Sequence, residues 1–332
     1  MAVESRTIDR VDRQILHALQ IAPRAPFARI AIVLGVSEQT VARRYQRMRG
    51  AGIVRVLARQ EPIHRPNASY WSLRIGCRPG AADTLADALA RRGDTSWISI
   101  GAGGAEVTCQ AEVEGDGSGL LHHLPRASNV LAFSAHQVLH RFPGRGEIDW
   151  ILPDNDVTAE QRQFLADGPA PRDGDARIEA ADWPLIDELS RDGRASWATL
   201  AAATGLNQRQ VAHRVGELVG SRAIYFHLDV AEVLVGMRSA ANLWFTVAPA
   251  HLASVGARLA DHAELGFVAA VTGSANLMAA ARTPDAQALY HYLTTKIAAI
   301  EGIHNVEIVP TLTRVKQSHS LMVGGLVREP PR

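Results

Sequence analysis

The sequence predicts an α+β chain in which two winged helix-turn-helix domains alternate with two ferredoxin-like βαββαβ units. Three observations predict it. In Leu34-Gly35-Val36-Ser37 an apolar helix ends at a glycine and a serine opens a second helix, which is how a helix-turn-helix looks in sequence. Downstream, short alternating runs and helical patterns follow in the order β-α-β-β-α-β. Both patterns then return at an offset of 170 residues, so the chain is a duplication.

Ile8, Val11, Ile15 and Leu19 are spaced as one face of a first helix, which Ala22-Pro23-Arg24-Ala25-Pro26 breaks. Phe27, Ile30, Ala31 and Leu34 repeat that spacing in a second helix. Gly35 can take the left-handed conformation that closes it, and Ser37 can cap the third. There Val41, Tyr45 and Met48 form the inner stripe, while Gln39, Thr40, Arg43 and Arg47 point away and Arg44 lies on the flank. Residues 53–59 read as a strand, a wing. After a break at Arg65-Pro66-Asn67, strands are expected over 69–77, 97–100, 106–113 and 131–142, with helices over 81–92 and 120–129. Residues 153–177 read as a linker around one short helix, 159–165.

The second copy starts near residue 177. Asp12 matches Asp182, Arg24 matches Arg194, Phe27 matches Trp197, Gly35 matches Gly205, Arg44 matches Arg214 and Gly103 matches Gly273. Asn207 with Gln210 three positions on has the form of a capping box. The second β-α-β-β-α-β unit runs from Asn242 to about Val315. Its last helix is expected to be longer, because Leu139-His140-Arg141 aligns with Leu312-Thr313-Arg314 at an offset of 173. Expected domains are therefore 1–60, 66–145, a linker at 146–176, 177–232, 238–317 and a tail at 318–332.

Apolar residues make up 47% of the 332, enough for sizeable cores, and the net charge is only +1. Nucleic acid must therefore be argued from local clustering. From Arg24 to Arg59 there are eight arginines and one acid, a charge of +7; from Arg194 to Leu228 there are four and one, a charge of +3. Arginine neutralises phosphate and makes bidentate contacts to guanine edges. The expected DNA-facing residues are Ser37, Gln39, Thr40, Arg43, Arg44 and Arg47 in the first copy, and Arg209, Gln210, His213 and Arg214 in the second. The first copy is expected to make most of the contact, with Arg44 on phosphate and the second copy a weaker reader or a scaffold. The bland alternative is a solvated face on an ordinary helical bundle.

Two distant cysteines, Cys77 and Cys109, make no disulfide framework and suit a reducing cytoplasm. Their places on neighbouring strands would allow a redox switch; buried inert thiols are the simpler reading. No long uncharged apolar run suggests a signal peptide or membrane span. His122, His123, His136 and His140 have no carboxylate or cysteine at ligand spacing, so no metal is expected. Trp71, Trp97, Trp183, Trp197 and Trp244 read as core or interface. The glycine-rich turn at 101–104 leads into a strand, whereas a dinucleotide fingerprint must open a helix.

These residues together resemble the Lrp/AsnC transcriptional regulators. Residues 8–16, Leu34-Gly35-Val36-Ser37, Thr40-Val41, Arg44 and Gly52-Ile53-Val54 are similar to that family's DNA-binding pattern. Residues 271–277 are similar to its sensor loop, and 302–314 to its last strand. The whole looks like a tandem, fused form. The resemblance implies sequence-specific binding of double-stranded DNA, control by a small-molecule effector such as an amino acid, and assembly through the sensor domains as a homo-oligomer. It implies effector contacts at Thr272, Gly273, Ser274 and Asn276, and at Ala102, Gly103, Gly104 and Glu106 of the first copy. Glycine amides can cradle a carboxylate and an acid can hold an ammonium group. Asn276 stands where the family commonly has Asp, and contributes no charge. Tight turns without a ligand are the alternative. No catalytic role and no cofactor are expected, although the siroheme decarboxylases, a branch resembling this family, use the same architecture for tetrapyrrole chemistry.

Overall fold

The computed structural model of the chain describes residues 8–60, 68–115, 119–144, 157–166 and 176–329. In chain order these form α1 (Arg10–Ile21), α2 (Phe27–Leu34), α3 (Glu38–Gly50), β1 (Val54–Gln60), β2 (Ala68–Cys77), α4 (Ala82–Ala90), β3 (Thr95–Gly101), β4 (Glu106–Glu114), α5 (Leu120–His123) and β5 (Val130–Arg141). Then come α6 (Ala159–Ala166), α7 (Trp183–Arg191), α8 (Trp197–Thr204), α9 (Gln208–Gly220), β6 (Ile224–Val230), β7 (Ser239–Val247), α10 (Leu252–Ala260), β8 (Leu265–Val271) and β9 (Leu277–Thr283). Last are α11 (Ala286–Tyr292), extended by a π-helical turn to Ile297, β10 (Ile303–Lys316), β11 (Leu321–Val323) and β12 (Leu326–Arg328). The break at Arg65-Pro66-Asn67 and most of the linker stretch lie outside the described residues. The chain divides into two compact units: both helix-turn-helix segments with α6 and β12 in one, and both βαββαβ segments with β11 in the other.

In the first unit, local chemistry sets the helix ends. Asp9 and Asp12 form a capping box at α1, and the Ser37 side chain accepts from Thr40 N–H at the start of α3. Gly35 and Gly205 close α2 and α8 at φ +65° and +72°, the left-handed region that glycine enters without a Cβ penalty. Ile15, Leu16, Leu19, Ile30, Val41, Tyr45 and Met48 are buried between the first three helices.

The strand expected as a wing does not fold into a hairpin of its own copy. Each copy contributes one strand here, and a lone strand leaves its backbone groups unpaired. β1 pairs antiparallel with β6 from Val54↔Val230 to Gln60↔Ile224. At its centre Leu57 lies opposite His227, its own counterpart at the offset of 170. A pseudo-twofold axis therefore passes through that pair, and the interface is isologous, as in a C2 dimer. Ala58 of β1 even lies in the hydrophobic core of the second copy.

The linker helix α6 is present, one residue longer than expected, and packs on α1 and α2 of the first copy. Leu165 is buried there and Gln161 Nε2 donates to Val33 O at 2.8 Å. The expected tail is partly structured as well: Val327 N–H donates to Gly52 O at 2.8 Å.

The second unit has the expected β-α-β-β-α-β order twice, and the second copy's last helix is the longer. Its eight long strands run β10-β3-β4-β2-β5-β8-β9-β7, and β7 pairs back with β10, closing the sheet. The closure is reciprocal. The end of β5 crosses to the other copy, with Val138↔Val271, His140↔Ala270 and Arg141↔Ala269. The end of β10 returns the exchange with Thr311↔Gly101, Thr313↔Ile100 and Arg314↔Ser99, the equivalent residues throughout. Side chains alternate across each strand. One face packs under the helices through Leu73, Ile75, Val107 and Cys109 in the first copy and Leu243, Phe245, Val268 and Leu277 in the second. The opposite face carries Trp244, Ala269, Val271, Met278 and Val309.

Candidate nucleic-acid interface and sensor loops

The recognition helices α3 and α9 bury Val41, Tyr45 and Met48, and Val211, Val215 and Leu218, so the helical period turns the intervening residues outward. Ser37, Gln39, Arg43 and Arg47 are exposed and Thr40 is half-buried; Arg209, Gln210 and His213 are exposed. These side chains differ in how free they are. Arg43 and Arg209 have no carboxylate partner among the described residues. Thr40 Oγ1 lies 2.8 Å from Ser37 Oγ. Gln210 is held in the capping box, its Oε1 accepting from Asn207 N–H at 3.1 Å. His213 Nδ1 is 3.6 Å from Glu217.

Arg44, Arg47 and Arg214 are tied to their own domains. Asp12, with no exposed surface, binds Arg44 at 3.0 Å and also Arg47, while Arg44 reaches Asp9 at 2.6 Å. In the second copy Asp182 takes Arg214 at 2.7 and 2.8 Å, and Arg214 also meets Glu217 at 3.2 Å. Burial pushes the Asp182 carboxyl up, but Arg214 and the Glu179 N–H outweigh it and hold it below the usual carboxylate range. Asp9 is lowered in the same way, its burial outweighed by Arg44.

Further arginines counted in the basic clusters hold the two copies together. Arg24 donates to Gly193 O at 2.5 Å and Ala195 O at 3.1 Å; Arg194 donates to Pro23 O at 2.6 Å and Ala25 O at 2.9 Å. Every partner is the counterpart of the other at the offset of 170. Each guanidinium also stacks 4.3 Å over the matching ring, Arg24 on Trp197 and Arg194 on Phe27. Burial, aided by Arg194, brings Arg24 down to about 10, so it stays charged at neutral pH. Arg49 binds Asp192 at 2.9 Å, Arg55 donates to Arg191 O at 2.8 Å, and Arg29 lies 5.7 Å from the Phe164 ring of α6. The charge of +7 is thus mostly engaged within the unit, and among the described residues each recognition helix is left with one arginine without a carboxylate partner.

The sensor loops also differ between copies. In the β8–β9 loop, Thr272 Oγ1 accepts from Gln137 N–H at 2.9 Å, and His136 Nδ1 lies 2.7 Å from Thr272 O. The Asn276 amide is fully engaged: Oδ1 accepts from Val247 N–H at 2.9 Å and Nδ2 donates to Val247 O at 2.7 Å. Ser274 O accepts from Thr246 at 3.3 Å. A Cβ on Gly273 (φ +116°) would stand 2.6 Å from His136 Nδ1. In the β3–β4 loop the counterparts of Thr272 and Gln137 are Ala102 and Pro310. The first has no hydroxyl to accept with and the second no N–H to donate, so the exchange removes the bond without leaving an orphan. Gly103 and Gly104 have positive φ and open space where a Cβ would be. Glu106 is not free for an ammonium group: Arg74 reaches it at 2.9 Å and binds Glu307 at 2.7 and 2.8 Å. The bond to Glu307 raises the Arg74 pKa and lowers that of Glu307.

Arg74 escaped sequence reasoning. It stands in phase with Ser72 and Gly76, opposite the face that carries Leu73 and Ile75, and the charge inside an alternating strand was its only signal. Asp12/Asp182 with Arg44/Arg214 left a better one: both members of a pair persist in both copies, as a buried ion pair requires. Leu73, not Cys77, lies opposite Cys109. Both thiols are buried, and burial pushes Cys109 up to about 12. Of the tryptophans, Trp244 is buried, Trp197 is 36% exposed beneath Arg24 at the interface between the copies, and Trp183 is 39% exposed. No helix among the described residues is long and apolar enough to cross a membrane.

The AsnC-type helix-turn-helix domain model matches residues 8–49 and again 180–219, and the Lrp/AsnC ligand binding domain model matches 241–321. The chain belongs to the Lrp/AsnC family. An uncharacterized HTH-type transcriptional regulator of Pyrococcus furiosus is 28% identical over 108 residues, 32% of this Lrp/AsnC chain and 73% of that protein. One of Pyrococcus horikoshii is 26% identical over 148 residues, 44% of this chain and 93% of that protein. Among solved structures, the siroheme decarboxylase NirDL is similar at a TM-score of 0.60 and 11% identity, covering 93% of each chain. Its complex with an iron-uroporphyrin III analogue gives 0.58, covering 97% of this chain and 94% of that one. At that identity the likeness concerns the fold, and it includes the duplication. It overturns the expectation that the chain has no catalytic role: an enzyme stands on the same frame, so this frame does not separate the two classes.

Proposed function

We propose that this Lrp/AsnC-family chain is a DNA-binding transcriptional regulator controlled by a small-molecule effector. The observation that carries the reading is a matched helix-turn-helix pair in which each recognition helix presents an exposed arginine, Arg43 and Arg209, with no carboxylate partner among the described residues. The regulator names of the two Pyrococcus relatives support it. Gln39, Thr40, Arg43 and Arg47 face the bases, Ser37 and Arg44 lie beside phosphate, and Arg209, Gln210, His213 and Arg214 form the second face. An effector carboxylate, such as that of an amino acid, meets the uncrowded turn at Gly103 and Gly104 beside Glu106. Thr272, Gly273, Ser274 and Asn276 line the second loop, whose polar side chains Thr272 and Asn276 already serve the backbone. Association of further copies through the sensor unit belongs to the same reading.

The test is binding of labelled genomic fragments by fluorescence anisotropy. Arg43→Ala should weaken specific binding by about 1–3 kcal/mol and flatten its salt dependence. Unchanged affinity in a folded variant would sink the reading. A second reading rests on the whole-chain likeness to NirDL: chemistry on a tetrapyrrole carboxylate. Incubation with siroheme decides it, since release of carbon dioxide would establish the enzyme and its absence would remove it.

A further inference from the structure

We infer that one copy of this chain reads an operator made of two different half-sites in inverted orientation. The inference rests on the DNA-binding reading above and deepens it. Helix-turn-helix dimers match a two-fold axis of the protein to a palindrome in the DNA, because two identical recognition helices meet the duplex in opposite directions. Here the two-fold axis lies inside one chain. The β1–β6 register places Leu57 against His227, and Arg24 and Arg194 exchange carbonyl bonds residue for residue, so the backbone relation between the copies is that of a symmetric dimer. Orientation of the half-sites is therefore inverted.

The side chains carried by that symmetric frame are not the same. At equivalent positions Gln39 corresponds to Arg209, Arg43 to His213 and Arg47 to Glu217; the first two pairs are exposed in both copies, and Glu217 is half-buried. Base edges are read by donor and acceptor pattern: glutamine pairs with adenine, arginine with guanine, and an acid accepts from cytosine. Exchanging amide for guanidinium, guanidinium for imidazole, and guanidinium for carboxylate changes the preferred base at each place. One half-site cannot satisfy both helices, so a palindrome leaves one helix mismatched. Caps and cores are equivalent in the two copies: Ser37 and Asn207 each accept from the N–H three residues on, so the second helix is as well formed as the first.

The symmetrising variant keeps this frame. Arg209→Gln, His213→Arg and Glu217→Arg give α9 three of the outward side chains of α3 while leaving the Asn207–Gln210 cap in place. An arginine at 217 has a partner, since in the first copy Arg47 binds Asp12 from the equivalent seat and Asp182 is its counterpart.

The full chain is used to enrich random duplexes, and the winners are measured by anisotropy beside the two palindromes built from each half. The inference expects a composite with two different inverted halves, bound at least about tenfold tighter than either palindrome, since a mismatched pair costs roughly 1–3 kcal/mol. The triple variant, with unchanged thermal unfolding, should shift its preference to the palindrome of the first half. An enriched palindrome, or a single half-site protected in footprinting, overturns this inference and leaves the DNA-binding reading standing. Failure to enrich any sequence, with the chain folded, overturns both. Should the triple variant unfold, the composite-to-palindrome ratio of the native chain still decides.

Discussion

The first helix-turn-helix carries +7 in its arginine-rich stretch and the second +3, yet among the described residues each recognition helix keeps a single arginine free of carboxylate partners, Arg43 and Arg209. The difference disappears because arginine does other work here. In the first copy Asp12 collects two guanidiniums, Arg44 and Arg47, where in the second Asp182 collects Arg214 and the Arg47 position is Glu217. Charge counted along a chain is not charge presented to a partner. What the copies share is the frame; where they differ is the residues that frame displays.

The largest effect should come from the acid that anchors each copy. Removing one member of a buried pair costs about 3–5 kcal/mol when both are desolvated. Asp12→Ala strips two guanidiniums that keep some solvent, so about 3 kcal/mol is expected, and Asp182→Ala, with one, about 2 kcal/mol. Denaturant unfolding gives the order, and equal costs would erase this distinction between the copies. Two carboxylates of this unit shape the acid limb. Asp182 and Asp9 have carboxyls lowered in the folded state, so the stability they supply is complete above the unfolded value near 4 and is lost as pH falls through the lower folded value. Asp182→Asn should flatten that limb; an unaltered acid limb would show that Asp182 does not control it.

Next comes the arginine clasp. Arg24→Ala and Arg194→Ala each delete two charged bonds to carbonyls and contacts to two rings, the nearer at 4.3 Å, at about 2 kcal/mol. Because the contacts are reciprocal, the two costs should agree within about 0.5 kcal/mol. A larger gap in thermal unfolding would break the isologous description.

The sensor loops sharpen the comparison in the opposite sense. Asn276→Asp restores the acid common in the family but removes the donor to Val247 O and sets a carboxylate against a carbonyl, costing about 1–2 kcal/mol. The carboxylate Glu106 at the matching place is held by Arg74 and incurs no such loss. Stabilisation by Asn276→Asp in a melting assay would show that the second loop is built for an acid after all. The smallest effect is expected at the turns. Gly35→Ala and Gly205→Ala meet no neighbour within 4 Å, so only left-handed backbone strain remains, about 1 kcal/mol in both copies.

The duplication, the order of elements, the caps at Ser37 and Asn207 and the longer last helix were legible because each depends on residues within one turn or on a repeat of fixed offset. The sequence also identified which side of α3 faces outward, since the stripe of Val41, Tyr45 and Met48 fixes the helix rotation. It could not assign partners to arginines. Arg24 meets a carbonyl 169 positions away and Arg74 a carboxylate 233 away. Along the chain a guanidinium bound for a backbone carbonyl looks the same as one bound for phosphate. The strand expected as a wing is present, but its partner was hidden for the same reason. Its alternation specified a strand, but a strand's partner is chosen by whichever free edge the tertiary fold brings alongside. Local spacing determined what each segment is; only the folded duplication, which sets one copy against the other across an axis, decided which charges stay inside and which are left to meet a ligand.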